Sequence, residues 1–451
     1  MPSSDRPDPQ APQARAPVSK PIPVAGADGI WLQDRAENLM VINSVFTIDR
    51  MDIEDLRELW MERLMGEPGN YKYPRFARRI IEVGGRPHWQ DDPDFDVSRH
   101  IIEFPEDGPD GPLPDTKEKL QDLVGRLASR PLPTDRSPWQ LLFVPRFGDG
   151  GSAIINRIHH VMGDGIGLVG VLLSLMDTSP TGGQLMPAVV DRGGKPPNKL
   201  ALAAKAALAG PAILAQKAFW SRDRSGMRGP SLGGEKRVAW TPPIPVERVK
   251  TLKNRLGCTL NDVLVSCVAG AFRSHSKRHD GYAMDQLQVT MPVNVRSASE
   301  PPSMGNKFAA VLLSLPVHLA DPLERLAETK RRMDRLKRSV EPFSTYGIVR
   351  VTLATLPYAV SRKLLDFYAD KCSCVLSNVP GPQETLYLAG RRLRGMLFWV
   401  PQRSEIGIGV SILSFAGELR LGVIADTVLV PNPSELVAAF EAELDVLEGL
   451  K

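Results

Sequence analysis

The 451-residue sequence predicts an α/β protein with mixed sheets flanked by helices, and three observations carry that reading. Segments with apolar residues at helical spacing alternate with short extended runs. The alternation occurs in both halves of the chain, on either side of a glycine- and proline-broken stretch. With 42% apolar residues, the chain is long enough to bury more than one core.

The elements follow in order. The opening "MPSSDRPDPQAPQARAPVSKPIPV" has no apolar signal core and is crowded with proline and small polar residues, so residues 1–27 are expected to form a disordered leader. "MDIEDLRELWMERLM" (51–65) places Leu56, Trp60 and Leu64 on one helical face. "HWQDDPDFDVSRHIIEF" reads as irregular and then extended, 116–130 as a helix, and "WQLLFVPRF" and "SAIINRI" as strands. Residues 28–180 thus make a first unit, and 181–240 a helical and flexible linker. Within the linker, Arg192 to Lys236 holds nine Lys or Arg against two Asp or Glu, a net of +7. Its apolar piece has an uncharged run of eleven residues between Lys205 and Lys217, too short to cross a bilayer. It is either a connector with solvated basic ends or a docking surface for an anionic membrane.

The second unit, 241–451, opens with a helix over 259–278. Strands are expected over 286–296, 306–317 and 405–426, and a helix over 321–340. A final helix follows Asn432 as cap, with Pro433 at its first position and Glu435 at the capping-box position. The four cysteines, Cys258, Cys267, Cys372 and Cys374, have no paired CxxC spacing and support neither a disulfide framework nor a cysteine zinc site. A reducing, cytoplasmic compartment fits. The net charge of +4 is mild and comes with no nucleic-acid-binding signature, so nucleic acid is not an expected partner.

Two of only seven histidines stand side by side in "IINRIHHVMGDG". On a strand, His160 shares a face with Ile154, Asn156 and Ile158, and His159 takes the other face. "VMGDG" then reads as a tight turn, with a helix from about Ile166. At the end of a strand, His160 suits a general base, because a neutral imidazole can take a proton from a nearby hydroxyl. The competing use is a pair of core histidines held by local hydrogen bonds. Asp164 either orients the imidazole or binds an arginine that shapes the turn. A metal at His159, His160 and Asp164 is not expected, since the histidines face opposite ways and no HExxH occurs.

"HHVMGDG" resembles the HHxxxDG motif of the CoA-dependent acyltransferase superfamily. The ordered set "PDFDVSRHI", "PLPTDRSPWQL", "TLNDVLVS", "MPVNVRS", "GNKFAAVLLSLP" and "SNVPGP" narrows the resemblance to the bacterial wax ester synthase/diacylglycerol acyltransferase family. Two segments depart from the family pattern: "GADGIWLQDRAENLMVINS", which keeps an aromatic at Trp31, and "RSPWQL", which lacks a leucine before the tryptophan.

The resemblance implies two chloramphenicol-acetyltransferase-like domains with a channel between them. It implies His160 as catalytic base, Asp164 as structural partner, and His159 and Gly165 as supporting motif residues. The implied reaction transfers a long-chain acyl group from acyl-CoA directly to a fatty alcohol or diacylglycerol, with acyl-CoA as substrate and no permanently bound cofactor. A specialised alcohol O-acyltransferase and a nonenzymatic lipid-binding protein are the alternatives. Arg296 is expected to pair with Asp164. Asn261 is either a donor near the reacting groups or a helix cap, and Asn294 and Asn306 either touch substrate or serve turns. The implied location is peripheral, on the inner membrane face or lipid inclusions.

Overall fold

The strand Gly151–His159 is buried at every position, so it lies inside a sheet covered on both faces. The computed structural model describes residues 20–108, 111–181, 231–281, 284–296 and 304–450, with short pieces at 205, 208–210, 212–213, 215, 219–223 and 225–228. Most of the linker, including half of its Lys and Arg residues, lies outside the described residues, as do residues 1–19.

Gly151–His159 pairs antiparallel with Val41–Asp49 on one side and Trp139–Phe147 on the other. Ile101–Glu103 adds a parallel edge to Trp139–Phe147. The opposite side of this six-stranded sheet is completed from late in the chain, by Arg391–Trp399 against Val41–Asp49 and then Tyr387–Leu388. A second, seven-stranded mixed sheet runs Lys236–Trp240, Glu418–Asp426, Ile408–Phe415, Cys374–Pro380, Leu287–Asn294 and Phe308–Leu315, with Ile244–Pro245 also on Glu418–Asp426. Cys374–Pro380 is parallel to both its neighbours and the remaining pairs are antiparallel.

Helical periodicity gave its best results where one face meets a core. The 51–65 expectation is met by an α-helix, Ile53–Trp60, running into a π-helical turn, Met61–Met65, with Leu56, Trp60 and Leu64 buried. Lys117–Ala128 is capped by the Thr116 side chain. Leu260–His279 and Ser434–Gly449 cover the second sheet and supply much of its core.

Several boundaries differ from expectation. Ile22 and Pro23 of the expected leader pair with the hairpin strand Arg86–Asp91, which takes in residues 88–91 of the segment expected to be irregular. The expected linker ends in Lys236–Trp240, whose backbone completes an edge of the second sheet. The expected second unit is not contiguous in space, because Arg391–Trp399 satisfies its backbone groups in the first sheet. At the last helix, Pro433 takes the cap position, and Asn432 accepts from Glu435 N through its backbone carbonyl; no side-chain cap forms.

Candidate active site

His160 follows the last residue of its strand, where the chain turns through Val161–Asp164 into the helix Gly165–Leu173. Its backbone N donates to Met40 O at 2.7 Å, fixing the strand end. The indole of Trp31 stacks on the imidazole, with centroids 3.7 Å apart and planes inclined by 18°. The residue is 5% exposed, and its Nδ1 is buried without a hydrogen-bond partner. Loss of water on burial pushes the imidazole down to about 4, against the opposing pull of the Asp164 carboxylate. His160 is therefore neutral at cellular pH.

The neighbouring His159 is chemically committed. Val161 N donates to its Nδ1 at 3.1 Å, which leaves the ring proton on Nε2, 2.8 Å from Asp34 Oδ2. Burial raises the Asp34 pKa, but the bond from His159 and the Met40 N–H outweigh it and hold the carboxyl below its ordinary value. With both ring nitrogens engaged, His159 has no free base to offer. The two histidines thus separate as the strand alternation requires.

Asp164 caps the following helix by accepting from Gly167 N at 2.8 Å, and it also accepts from Lys307 N at 2.7 Å. Arg296 Nη1 lies 2.8 and 2.6 Å from its two oxygens, while Arg296 Nη2 donates to Gly305 O at 2.8 Å. The carboxylate is filled by these partners and makes no hydrogen bond to His160. Of the two sequence readings, the arginine lock is the one formed. The motif glycines work differently from expectation: Gly163 and Gly165 both lack a positive φ. Gly163 forms a parallel bridge with Gly305, and a Cβ there would meet Gly305 N at 3.2 Å. Around Gly165 the space a Cβ would take is open.

A second network supports the same turn. Buried Asp28 accepts from Asn306 N and Nδ2 at 3.0 and 2.9 Å and pairs with Arg75 at 2.7 Å. Arg75 donates to the carbonyls of Val161 and Met162, and Asn306 Nδ2 to His160 O. Asp28, Asp34 and Arg75 escaped the sequence reading, since isolated charged residues far along the chain carry no local signal of their partners.

A cavity of about 1130 Å³ opens beside His160. Its wall is largely apolar, from strands of the second sheet and from two helices, Glu341–Thr355 and Tyr358–Ala369, that the sequence reading missed. Asn261 lies on this wall, and its Oδ1 accepts from Asn378 Nδ2 at 2.7 Å. It is not the helix cap: Thr259 and Asp262 form that capping box. Asn294 also lines the cavity, but its Oδ1 is taken by Arg296 N at 2.9 Å in a local turn. The helix behind Gly165 buries Leu168, Val171 and Leu172 in the first core.

A family model for the wax ester synthase/diacylglycerol acyltransferase catalytic domain matches residues 31–229, and one for the WS/DGAT C-terminal domain matches 304–448. A probable diacylglycerol O-acyltransferase of Mycobacterium tuberculosis (strain CDC 1551 / Oshkosh) is 28% identical over 394 residues, covering 81% of this chain and 83% of the relative. A putative diacylglycerol O-acyltransferase of Mycobacterium tuberculosis (strain ATCC 25618 / H37Rv) is 27% identical, with 84% of each covered. Among solved structures, the wax ester synthase/diacylglycerol acyltransferase from Marinobacter aquaeolei VT8 superposes with a TM-score of 0.67 at 19% identity, covering 95% of this chain and 98% of that one. The first condensation domain of the CDA synthetase superposes at 0.58 with 16% identity, covering 95% of each chain, and shares the fold. With both family models matched in order across most of its length, the chain belongs to the wax ester synthase/diacylglycerol acyltransferase family of CoA-dependent O-acyltransferases.

Proposed function

We propose that this protein moves a long-chain acyl group from acyl-CoA directly to the hydroxyl of a fatty alcohol or diacylglycerol, giving wax ester or triacylglycerol. The observation that carries the mechanism is the neutral, uncommitted imidazole of His160 on the wall of a large apolar cavity. With Nδ1 sealed in the protein, Nε2 takes the hydroxyl proton as the oxygen attacks the thioester carbon. The tetrahedral intermediate expels CoA thiolate, and the imidazolium returns its proton to sulfur. No acyl-enzyme forms.

Each neighbour has a role in this scheme. Trp31 holds the imidazole plane, and the Asp164–Arg296 pair holds the turn. Asn378 occupies the Asn261 carbonyl, which leaves the Asn261 amide N–H₂ as the donor assigned to the developing oxyanion in this scheme. Asn294 is assigned to the turn. The open space at Gly165 leaves room for substrate beside the base. The two mixed sheets support a reading as two chloramphenicol-acetyltransferase-like domains, the second of which lends the strand Arg391–Trp399 to the first.

Membrane contact is part of the proposal. No single helix among the described residues is long and apolar enough to cross a bilayer. The cavity-lining helices expose Phe343, Val351, Tyr358, Val360 and Phe367, a surface suited to peripheral attachment on an anionic membrane or lipid inclusion. In the basic run 330–338, Lys330 pairs with Asp334, and Arg331 and Arg332 with Glu328, as a solvated helix face does. Lys337 has looser contacts, 3.5 Å to Asp262 and 3.7 Å to Asp334, and it reaches the cavity lining, which makes it the candidate for a CoA phosphate.

The test is a mass-resolved competition in which long-chain alcohols, diacylglycerols, short alcohols and amines compete for one labelled acyl-CoA. Dominant long-chain ester or triacylglycerol supports the reading. Exclusive transfer to a short alcohol would keep the mechanism and replace the acceptor, exclusive amide formation would indicate a condensation enzyme, and lipid binding without product a carrier.

A further inference from the structure

The helix Leu260–His279 ends on two histidines one turn apart, His275 and His279, whose rings lie 4.3 Å apart on the same face. Across from them stands Glu435, at the start of the helix Ser434–Gly449. Its Oε2 is 2.7 Å from His279 Nε2 and 3.8 Å from His275 Nδ1. His275 is 4% exposed, and its Nδ1, aimed at this cluster, makes no hydrogen bond. A buried, unpaired ring nitrogen is costly unless something satisfies it.

We propose that His275, His279 and Glu435 form a site for one divalent cation of the zinc class, which clamps the C-terminal helix to the end of the helix Leu260–His279. Two imidazoles and a carboxylate are a donor set that zinc takes at about 2.0–2.2 Å, with water free to fill the fourth position. The three ligand atoms already lie within 4.8 Å of one another, so small side-chain rotations converge them on one ion. Donors separated by an i, i+4 step on one helix need no backbone movement to do so. The competing cation is Arg278, whose Nη1 is 3.6 Å from Glu435 Oε2, but its side chain is 55% exposed and can turn to solvent. Asn261, on the cavity wall, lies ~21 Å away along the same helix at 1.5 Å per residue. None of the three residues lines the cavity beside His160, so the site is separate from it, and its role is to hold two helices of the second core together.

The experiment uses the full chain without an affinity tag, stripped with a chelator and titrated with Zn²⁺ by calorimetry. The expected result is one ion per chain, with a rise in melting temperature, and a tetrahedral visible spectrum when Co²⁺ replaces Zn²⁺. His279→Ala and Glu435→Gln, both at partly exposed positions and checked for folding by circular dichroism, should each weaken binding at least about tenfold, since even losing an outer partner costs that much. They should also abolish the melting rise, whereas His160→Ala retains full binding. Absence of stoichiometric binding, or unchanged affinity in both cluster variants, overturns the proposal whatever the outcome for acyl transfer.

Discussion

The Asp164 carboxylate and the Arg296 guanidinium form a buried ion pair that ties the turn after the histidine strand to the chain leaving Leu287–Asn294 in the second sheet. Asp164→Asn strands the guanidinium without its counter-charge, and breaking such a pair costs about 3–5 kcal/mol. Thermal melts should drop for Asp164→Asn and for Arg296→Gln, with activity falling in parallel. The double variant should lose less than the sum of the two. Unchanged melts with lost activity would instead make Asp164 a direct partner of the imidazole.

Acid sensitivity should follow His160. Because burial holds its pKa at about 4, kcat/KM should stay level from neutral pH to near pH 5 and fall only below that, as the base becomes protonated. The unfolded chain binds this proton near ~6.5. His160's contribution to stability is therefore undiminished above that value and is lost as pH falls from about 6.5 toward 4. A pH–rate profile with its acid midpoint at 6.5 would contradict the buried, neutral ring.

Trp31→Ala removes the stacked indole while leaving every hydrogen bond of the histidine strand in place. Its effect should fall mainly on kcat, by about tenfold, as the imidazole loses its fixed plane; such aromatic pairs are worth about 0.5–1.5 kcal/mol. Trp31→Phe should recover much of the rate. An equal loss in both variants would assign Trp31 to substrate binding, and steady-state kinetics separate the two cases.

The histidine pair, its opposite faces and the Asp164–Arg296 partnership were legible because each rests on spacing within a short segment or on a quoted motif. The hairpin Arg78–Val83/Arg86–Asp91 carried a signal in Gly84–Gly85, both at positive φ, which was passed over. Glu341–Thr355 was missed for a physical reason: one side lines an apolar cavity and the other exposes apolar residues, so the sequence shows little contrast between faces, whereas Tyr358–Ala369 does carry a more apolar face. The insertion of Arg391–Trp399 into the first sheet depends on a partner more than 300 residues away, as the Phe398–Ser44 register shows.

Vesicle flotation should detect the exposed apolar surface of the two cavity-lining helices. Binding to anionic vesicles should weaken with salt, as Arg350, Arg362 and Lys363 on the same helices are screened, and Val351→Asp with Val360→Asp should reduce it at every salt concentration. Equal binding by this double variant would move the attachment surface elsewhere.

The most direct measurement follows thiol release and ester formation together, in the unaltered protein and in His160→Ala. The account predicts thiol release from long-chain acyl-CoA only when a hydroxyl acceptor is present, matched mole for mole by ester. It also predicts a loss of about 10²–10⁴-fold in a variant that remains folded. Undiminished ester formation by folded His160→Ala, or stoichiometric acyl-enzyme formation before acceptor is added, would contradict it.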